Sequence, residues 1–219
     1  MFQYVLFDLD GTLTDPGLGI TNSVMHALKK WNITVENRAE LYKFIGPPLY
    51  ESFMKYYGFS KEDAEKSVEY YREYFSVKGL YENEVYSGVI DLLKMLKNSG
   101  KTLLVASSKP EKFVLEIMRH FGLSSYFHTI AGATMDGSRI DKADVIEYAL
   151  KNAGVTDIDS CIMIGDREHD ILGAKHFGMK SIGVLYGYGD EAEHMAAGAD
   201  YIVRTPLEIA DILEVSECR

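Results

Sequence analysis

Cysteine is nearly absent from this chain of 219 residues: there are two, in unlike settings. Cys161 falls in the apolar run Cys161-Ile162-Met163-Ile164 and Cys218 in a polar tail, so no disulfide framework is expected. No basic or His-rich setting surrounds Cys161, which reads as a small core residue and not as a nucleophile. Positive charge is also scarce, with 23 Lys and Arg against 33 Asp and Glu and a formal net charge of -10. That balance excludes a general nucleic-acid surface, which needs cations to neutralise phosphates. An anionic substrate would have to be captured by a local basic pocket or a metal. No apolar stretch has transmembrane length, and the first residues lack the basic and apolar regions of a secretory signal. A cytoplasmic protein with neither a nucleic-acid nor a membrane partner is expected. There is no internal repeat or low-complexity segment, and the composition, 47% hydrophobic and 26% charged, is that of an ordinary globular protein.

What is present is concentrated at the ends of apolar runs. Asp8-Leu9-Asp10-Gly11-Thr12 follows Tyr4-Val5-Leu6-Phe7, which reads as a buried parallel strand. Two carboxylates one residue apart repel each other unless a cation or a proton offsets the charge. Strand alternation sends both to one face, and Gly11 lets the backbone turn away. Taken alone, Asp-x-Asp-Gly fits an acidic turn before a helix cap better than a reactive site.

The rest of the chain supplies context. Ile20, Val24, Leu28 and Trp31 mark an amphipathic helix, and Phe53, Met54, Tyr57 and Phe59, then Val68, Tyr71 and Phe75, recur at helical intervals. From Tyr86 onward strand and helix signals alternate, through Thr102 to Ala106, Thr129 to Ala131, Cys161 to Ile164, Ser181 to Val184 and Tyr201 to Val203. Such alternation calls for an α/β fold, a Rossmann-like three-layer core with a mainly parallel sheet. Residues 1–14 and 85–219 are expected to form that core, with 15–84 inserted as a helical domain.

Four groups of polar residues follow the strand signals. They are Asp8 with Asp10, the run Ser107-Ser108-Lys109-Pro110, Lys142 at a helix start, and Gly165-Asp166-Arg167-Glu168-His169-Asp170. In a parallel sheet all such loops lie at one edge, where ligands bind. Acidic groups on two strands can furnish oxygen ligands for Mg²⁺. Asp166 and Asp170, four apart, are expected to share one face of an incipient helix. Ser107 and the Ser108 amide could hold an anion beside a helix start, with Pro110 at its first position. Each group alone has a plainer explanation: an acidic helix turn, a Ser cap, a solvated Lys. Their conjunction at successive strand ends does not.

In this combination and order, Asp8-x-Asp10-Gly11-Thr12, Ser107, Lys142 and Gly165-Asp166-x-x-x-Asp170, the chain resembles the haloacid dehalogenase-like hydrolases over its full length. The helical insertion resembles a type C1 cap, near the phosphoglycolate phosphatase-like branch. The resemblance implies Asp8 as nucleophile forming an aspartyl phosphate and Asp10 as general acid and then base. It implies Mg²⁺ held by Asp8, the Asp10 carbonyl, Asp166 and Asp170, and catalytic roles for Ser107 and Lys142. Phosphate or substrate contacts would fall to Gly11, Thr12, Ser107, Ser108, Lys109 and Lys142, and, from the cap, to Lys43, Gly46 and Pro47. Between the two lysines, Lys142 ranks above Lys109. From the residues alone, Arg167 could pair with Asp166 or Asp170 or equally stand solvated, and the many Tyr residues of 15–84 would pack that domain. The implied activity is hydrolysis of a small phosphorylated metabolite, phosphoglycolate phosphatase-like or 5′-nucleotidase-like. A phosphomutase or inorganic pyrophosphatase of the same superfamily and a non-catalytic phosphate-binding regulator remain open, as do monomer and homodimer. A dehalogenase is disfavoured by the second carboxylate, Asp10.

Overall fold

Tyr4–Phe7 forms β1, a strand whose Val5, Leu6 and Phe7 are buried on both faces. The computed structural model describes residues 2–215, so Cys218 lies outside the described residues. After β1 come β2 (Thr14–Asp15), α1 (Gly17–Lys30), a 3₁₀ segment at Arg38–Phe44, α2 (Leu49–Tyr57) and α3 (Lys61–Tyr74). Then follow β3 (Glu84–Val85), α4 (Val89–Asn98), β4 (Thr102–Pro110), α5 (Glu111–His120) and β5 (Thr129–Ala133). The chain continues through α6 (Lys142–Asn152), β6 (Cys161–Gly165), α7 (Glu168–His176), β7 (Lys180–Val184), α8 (Glu191–Ala197), β8 (Tyr201–Val203) and α9 (Pro206–Ile212).

Six of these strands make one sheet in the order β5-β4-β1-β6-β7-β8, parallel at every pairing. Leu6 sits between Leu104 and Met163 in register. With Ala106, Ala131 and Cys161 these side chains pack against Val145, Ile146, Ala149 and Leu150 of α6 and Ala174 of α7. Helices surround the sheet, which gives the expected Rossmann-like α/β architecture. From β1 the chain proceeds to one side through β4 and β5, then returns to the other through β6, β7 and β8. That reversal leaves a crevice at the carboxyl ends of β4, β1 and β6, the place where open α/β sheets bind ligands.

The chain divides into two compact units, 1–14 with 85–219, and 15–84. The second unit is helical, and its interior is aromatic. Phe44 packs edge-on against Phe53 at 5.1 Å between ring centres, Trp31 lies 5.2 Å from Phe59, and Tyr71 stacks on Phe75. Not all tyrosines join this core: Tyr42 and Tyr81 are exposed.

Three local expectations are corrected. Pro110 is not the first residue of a helix. The pairing register shifts between Ser107 and Pro110, so Pro110 stays extended opposite Ala133, with ψ 128°, and α5 begins at Glu111. Asp166 does not share a helix face with Asp170, because Arg167 is the extended N-cap and α7 starts only at Glu168. Phe59 lies beyond α2, which ends on the left-handed Gly58.

Candidate active site

Each strand end contributes one group to the crevice. Asp8 continues β1, its N–H donating to the Ile164 carbonyl of β6 at 2.9 Å, which locks it beside the strand that carries Asp166. The turn that follows is closed by Gly11 N–H to Thr14 O at 2.8 Å and Thr12 N–H to Leu9 O at 3.2 Å. Gly11 adopts φ +80°, and the space a Cβ would take there is filled by the Asp166 carboxylate. Only glycine meets both demands. The amides of Gly11 and Thr12 are thus used within the turn, while the buried Thr12 Oγ1 makes no hydrogen bond among the described residues.

Lys142, the first residue of α6, is only 7% exposed. Its Nζ lies 2.9 Å from Asp8 Oδ1 and 2.7 Å from Asp170 Oδ1, and donates to Ala106 O at 2.9 Å. One ammonium thereby joins β1, β4 and α7. Burial opposes its charge, but the carboxylates of Asp170 and Asp8 outweigh that and hold its pKa above the usual lysine value. Lys109, at the end of β4, pairs with Asp10 Oδ2, and its own N–H donates to Ser107 Oγ at 3.3 Å. Ser107 is buried, and Ser108 beside it is half-buried.

Asp166 and Asp170 approach from β6 and α7. Asp170 Oδ2 accepts the N–H of the N-cap residue Arg167 at 3.1 Å, which leaves its other oxygen turned toward Lys142. Asp166 is fully buried. Its Oδ2 accepts the Tyr188 N–H at 2.8 Å, while Oδ1 has no hydrogen-bond partner among the described residues. Burial, with Asp170 and Asp8 close by, raises the Asp166 pKa well above the carboxylate range. Burial likewise raises Asp170 against the opposing pull of Lys142, and Asp10 against that of Lys109. One oxygen from each of Asp8, Asp166 and Asp170 lies within 4.8 Å of the others. Three crowded carboxylate oxygens, one without a donor, fit a hard divalent cation, which would supply the positive charge that lets them ionise together.

Asp8, Asp10, Ser107, Lys109, Lys142, Asp166 and Asp170 therefore converge, although they span most of the sequence. Lys43, Gly46 and Pro47 belong to the second unit, where Lys43 is exposed with Nζ 4.5 Å from the centre of the Tyr56 ring. Arg167 departs from expectation: its Nε pairs with Glu193 Oε1 at 2.8 Å, because α8 brings that carboxylate across the start of α7. Sequence reasoning missed the loop Leu185-Tyr186-Gly187-Tyr188-Gly189, whose backbone touches Asp166. The signal was present as two glycines alternating with tyrosines after a strand.

This fold and constellation define a class. The family model for haloacid dehalogenase-like hydrolases matches residues 5–184, and the chain belongs to that family. The particular relatives carry more than one activity in their names. A 5′-nucleotidase of Pseudomonas aeruginosa is 49% identical over 88% of this chain and 86% of its own length. The tyrosine-protein kinase PtkA of Mycobacterium tuberculosis is 40% identical over 85% of this chain but only 63% of its own length. The crystal structure of a predicted phosphatase from Clostridium acetobutylicum superposes with a TM-score of 0.94 at 49% identity, covering 98% of this chain and 99% of that one. No helix among the described residues is long and apolar enough to cross a membrane.

Proposed function

We propose that this protein is a Mg²⁺-dependent phosphatase that hydrolyses a small phosphate monoester through an aspartyl phosphate on Asp8, with nucleoside 5′-monophosphates first among its substrates. The observation that carries the reading is the placement of Asp8: buried at the end of a central strand, beside Lys142 and within metal-sharing distance of Asp166 and Asp170. The 5′-nucleotidase relative at 49% identity supports the substrate class.

Asp8, Asp166 and Asp170, with the Asp10 carbonyl, would hold the cation, which when bound screens the repulsion between the Asp8 carboxylate and the phosphate dianion. An Asp8 carboxylate oxygen then attacks phosphorus as the bond to the ester oxygen breaks. The Asp10 carboxyl gives its proton to that departing oxygen, and the burial that raises its pKa favours the protonated form needed. In the second half-reaction the Asp10 carboxylate takes a proton from water. The water oxygen bonds to phosphorus, the Asp8–phosphorus bond breaks, and inorganic phosphate leaves. Lys109, paired with Asp10, supports its ionised form between the two steps. Lys142 offers an ammonium beside the attacking carboxylate, where negative charge gathers in the transition state. Ser107, Ser108 and Thr12 offer hydroxyl or amide groups for the phosphoryl oxygens, and Lys43, Gly46 and Pro47 of 15–84, read as a cap, would meet the leaving group.

Phosphate release from an aryl phosphate with and without Mg²⁺ tests the reaction. A panel of nucleoside monophosphates, phosphoglycolate, sugar phosphates and pyrophosphate tests the substrate. Absence of Mg²⁺-dependent turnover on every compound would defeat the proposal, whereas turnover on the aryl phosphate with preference for pyrophosphate would correct only the substrate.

A further inference from the structure

The segment Leu185–Gly189 joins β7 to α8 and lies just beyond residues 5–184, the part of the chain that the family pattern matches. It surrounds Asp166. Tyr188 N–H donates to Asp166 Oδ2 at 2.8 Å. Gly187 runs so close that a Cβ there would fall inside the van der Waals surface of the Asp166 side chain and the Gly11 carbonyl oxygen. A Cβ on Gly189 would collide with the Asp166 carbonyl oxygen. The Asp166 carboxylate is therefore walled between two glycine backbones, Gly11 and Gly187, with its Oδ2 tied down.

Both ends of the segment are anchored to the site. The Tyr186 hydroxyl donates to Thr12 O at 3.1 Å, in the turn after Asp10, and the Tyr186 ring meets Tyr86 edge-on at 5.1 Å. At the far end Asp190 caps α8 by accepting the Glu193 N–H at 2.8 Å. Glu193 Oε1 in turn accepts from Arg167 Nε at 2.8 Å and from Glu168 N–H at 2.7 Å, directly after Asp166. The loop thus holds the turn after Asp10, and the first turn of α8 that it leads into holds the two residues after Asp166.

We propose that Tyr186, Gly187 and Tyr188 form a positioning clamp that fixes the rotation of the Asp166 carboxylate so that Oδ1 alone faces the cation. The proposal rests on reading Asp166 as a metal ligand. A free carboxylate would present either oxygen and would have to be ordered when the cation binds. Here the order exists beforehand, held by a backbone amide and by lack of space, as outer-shell partners commonly do for metal ligands.

The test measures Mg²⁺ dissociation constants by calorimetry on wild type, Gly187→Ala and Tyr186→Phe, alongside Mg²⁺ activation of aryl phosphate hydrolysis. Circular dichroism and metal-free melting check the fold. Gly187→Ala should weaken Mg²⁺ binding by roughly 10–100-fold. Tyr186→Phe, which keeps the ring and removes one hydrogen bond, should weaken it about three- to tenfold. Saturating Mg²⁺ should restore the kcat of Tyr186→Phe, with KM for the aryl phosphate unchanged. A merely structural role would lower the metal-free melting temperature and leave Mg²⁺ affinity alone, which overturns the clamp. If Gly187→Ala fails to fold, unchanged affinity in Tyr186→Phe overturns it equally. Failure of the wild type to bind Mg²⁺ would instead sink the metal reading of Asp166, and the clamp with it.

Discussion

Replacing Lys142 with Met removes one charge while keeping a side chain of similar length beside Gly173 and Ile146, where the lysine stem now packs. The ammonium that is lost stands 2.9 Å from Asp8 and 2.7 Å from Asp170. At an effective dielectric of about 20, each contact of that length is worth roughly 6 kcal/mol of gross Coulomb energy. Desolvation of the three buried ions opposes most of it, and breaking a buried pair by deleting one partner typically costs about 3–5 kcal/mol net. The variant retains two buried carboxylates with no cation between them, so the upper half of that range applies in the absence of metal. For a chain of this size 1 kcal/mol moves Tm by about 2–4 °C, which puts the fall at roughly 8–20 °C. Two features separate this from lost packing. Protonation of Asp170, which burial already favours, relieves the repulsion, so the deficit should shrink from about pH 7.5 to about pH 5.5. Mg²⁺ should recover part of it, since the cation supplies the missing charge. Denaturant melts in EDTA and in Mg²⁺ at both pH values measure all of this, and single-turnover rates should fall about 10²–10³-fold, more than for Lys109→Met. A metal-free variant within about 0.5 kcal/mol of wild type near pH 7.5, the range of an ordinary surface substitution, would refute the reasoning.

Three further outcomes are expected. Asp8→Asn should lose turnover by on the order of 10⁵-fold, since an amide is no nucleophile, and should fail to form the beryllium fluoride complex that wild type forms; near-normal activity would remove the mechanism. Asp10, Asp166 and Asp170 all have pKa values raised by burial, so the folded state binds protons more tightly than the unfolded chain. Metal-free stability should therefore fall as pH climbs from the unfolded carboxylate value near about 4 through the raised folded values, and urea midpoints that do not change over this window would contradict it. Lys43→Ala, on the exposed Lys43 and Tyr56 contact, should change relative kcat/KM among natural phosphates more than hydrolysis of acetyl phosphate, whereas a uniform fall would assign that residue to stability or closure.

Much of the site was legible because its chemistry is local. Asp8 and Asp10 stand one residue apart after an apolar run, and Lys142 stands at a helix start, so residue type and strand punctuation place them at one edge of any parallel sheet. The alternation of apolar runs after Tyr86 likewise dictates an α/β core, because buried parallel strands and their covering helices each leave a period in the sequence. Periodicity could not say which strands are neighbours. Strand order puts β4 and β6 on either side of β1, and only that order gives Lys142 both Asp8 and Asp170 to bridge.

The remaining differences are contacts between segments far apart in the chain. Arg167 reads as a partner for the adjacent aspartates, but Glu193, 26 residues on, takes it, because α8 crosses the start of α7. Pro110 reads as a helix start, yet pairing with Ala133 keeps it extended. Gly187 and the Tyr188 amide carry no charge and leave no chemical signature, and their place against Asp166 follows from the packing of β7 beside β6. The sequence by itself determined the chemical groups and the kind of sheet that would gather them. Tertiary structure decided which oxygen of each carboxylate is paired, which is walled in and which is left for a cation, because those choices depend on backbone approaches of a few ångströms that no local pattern encodes.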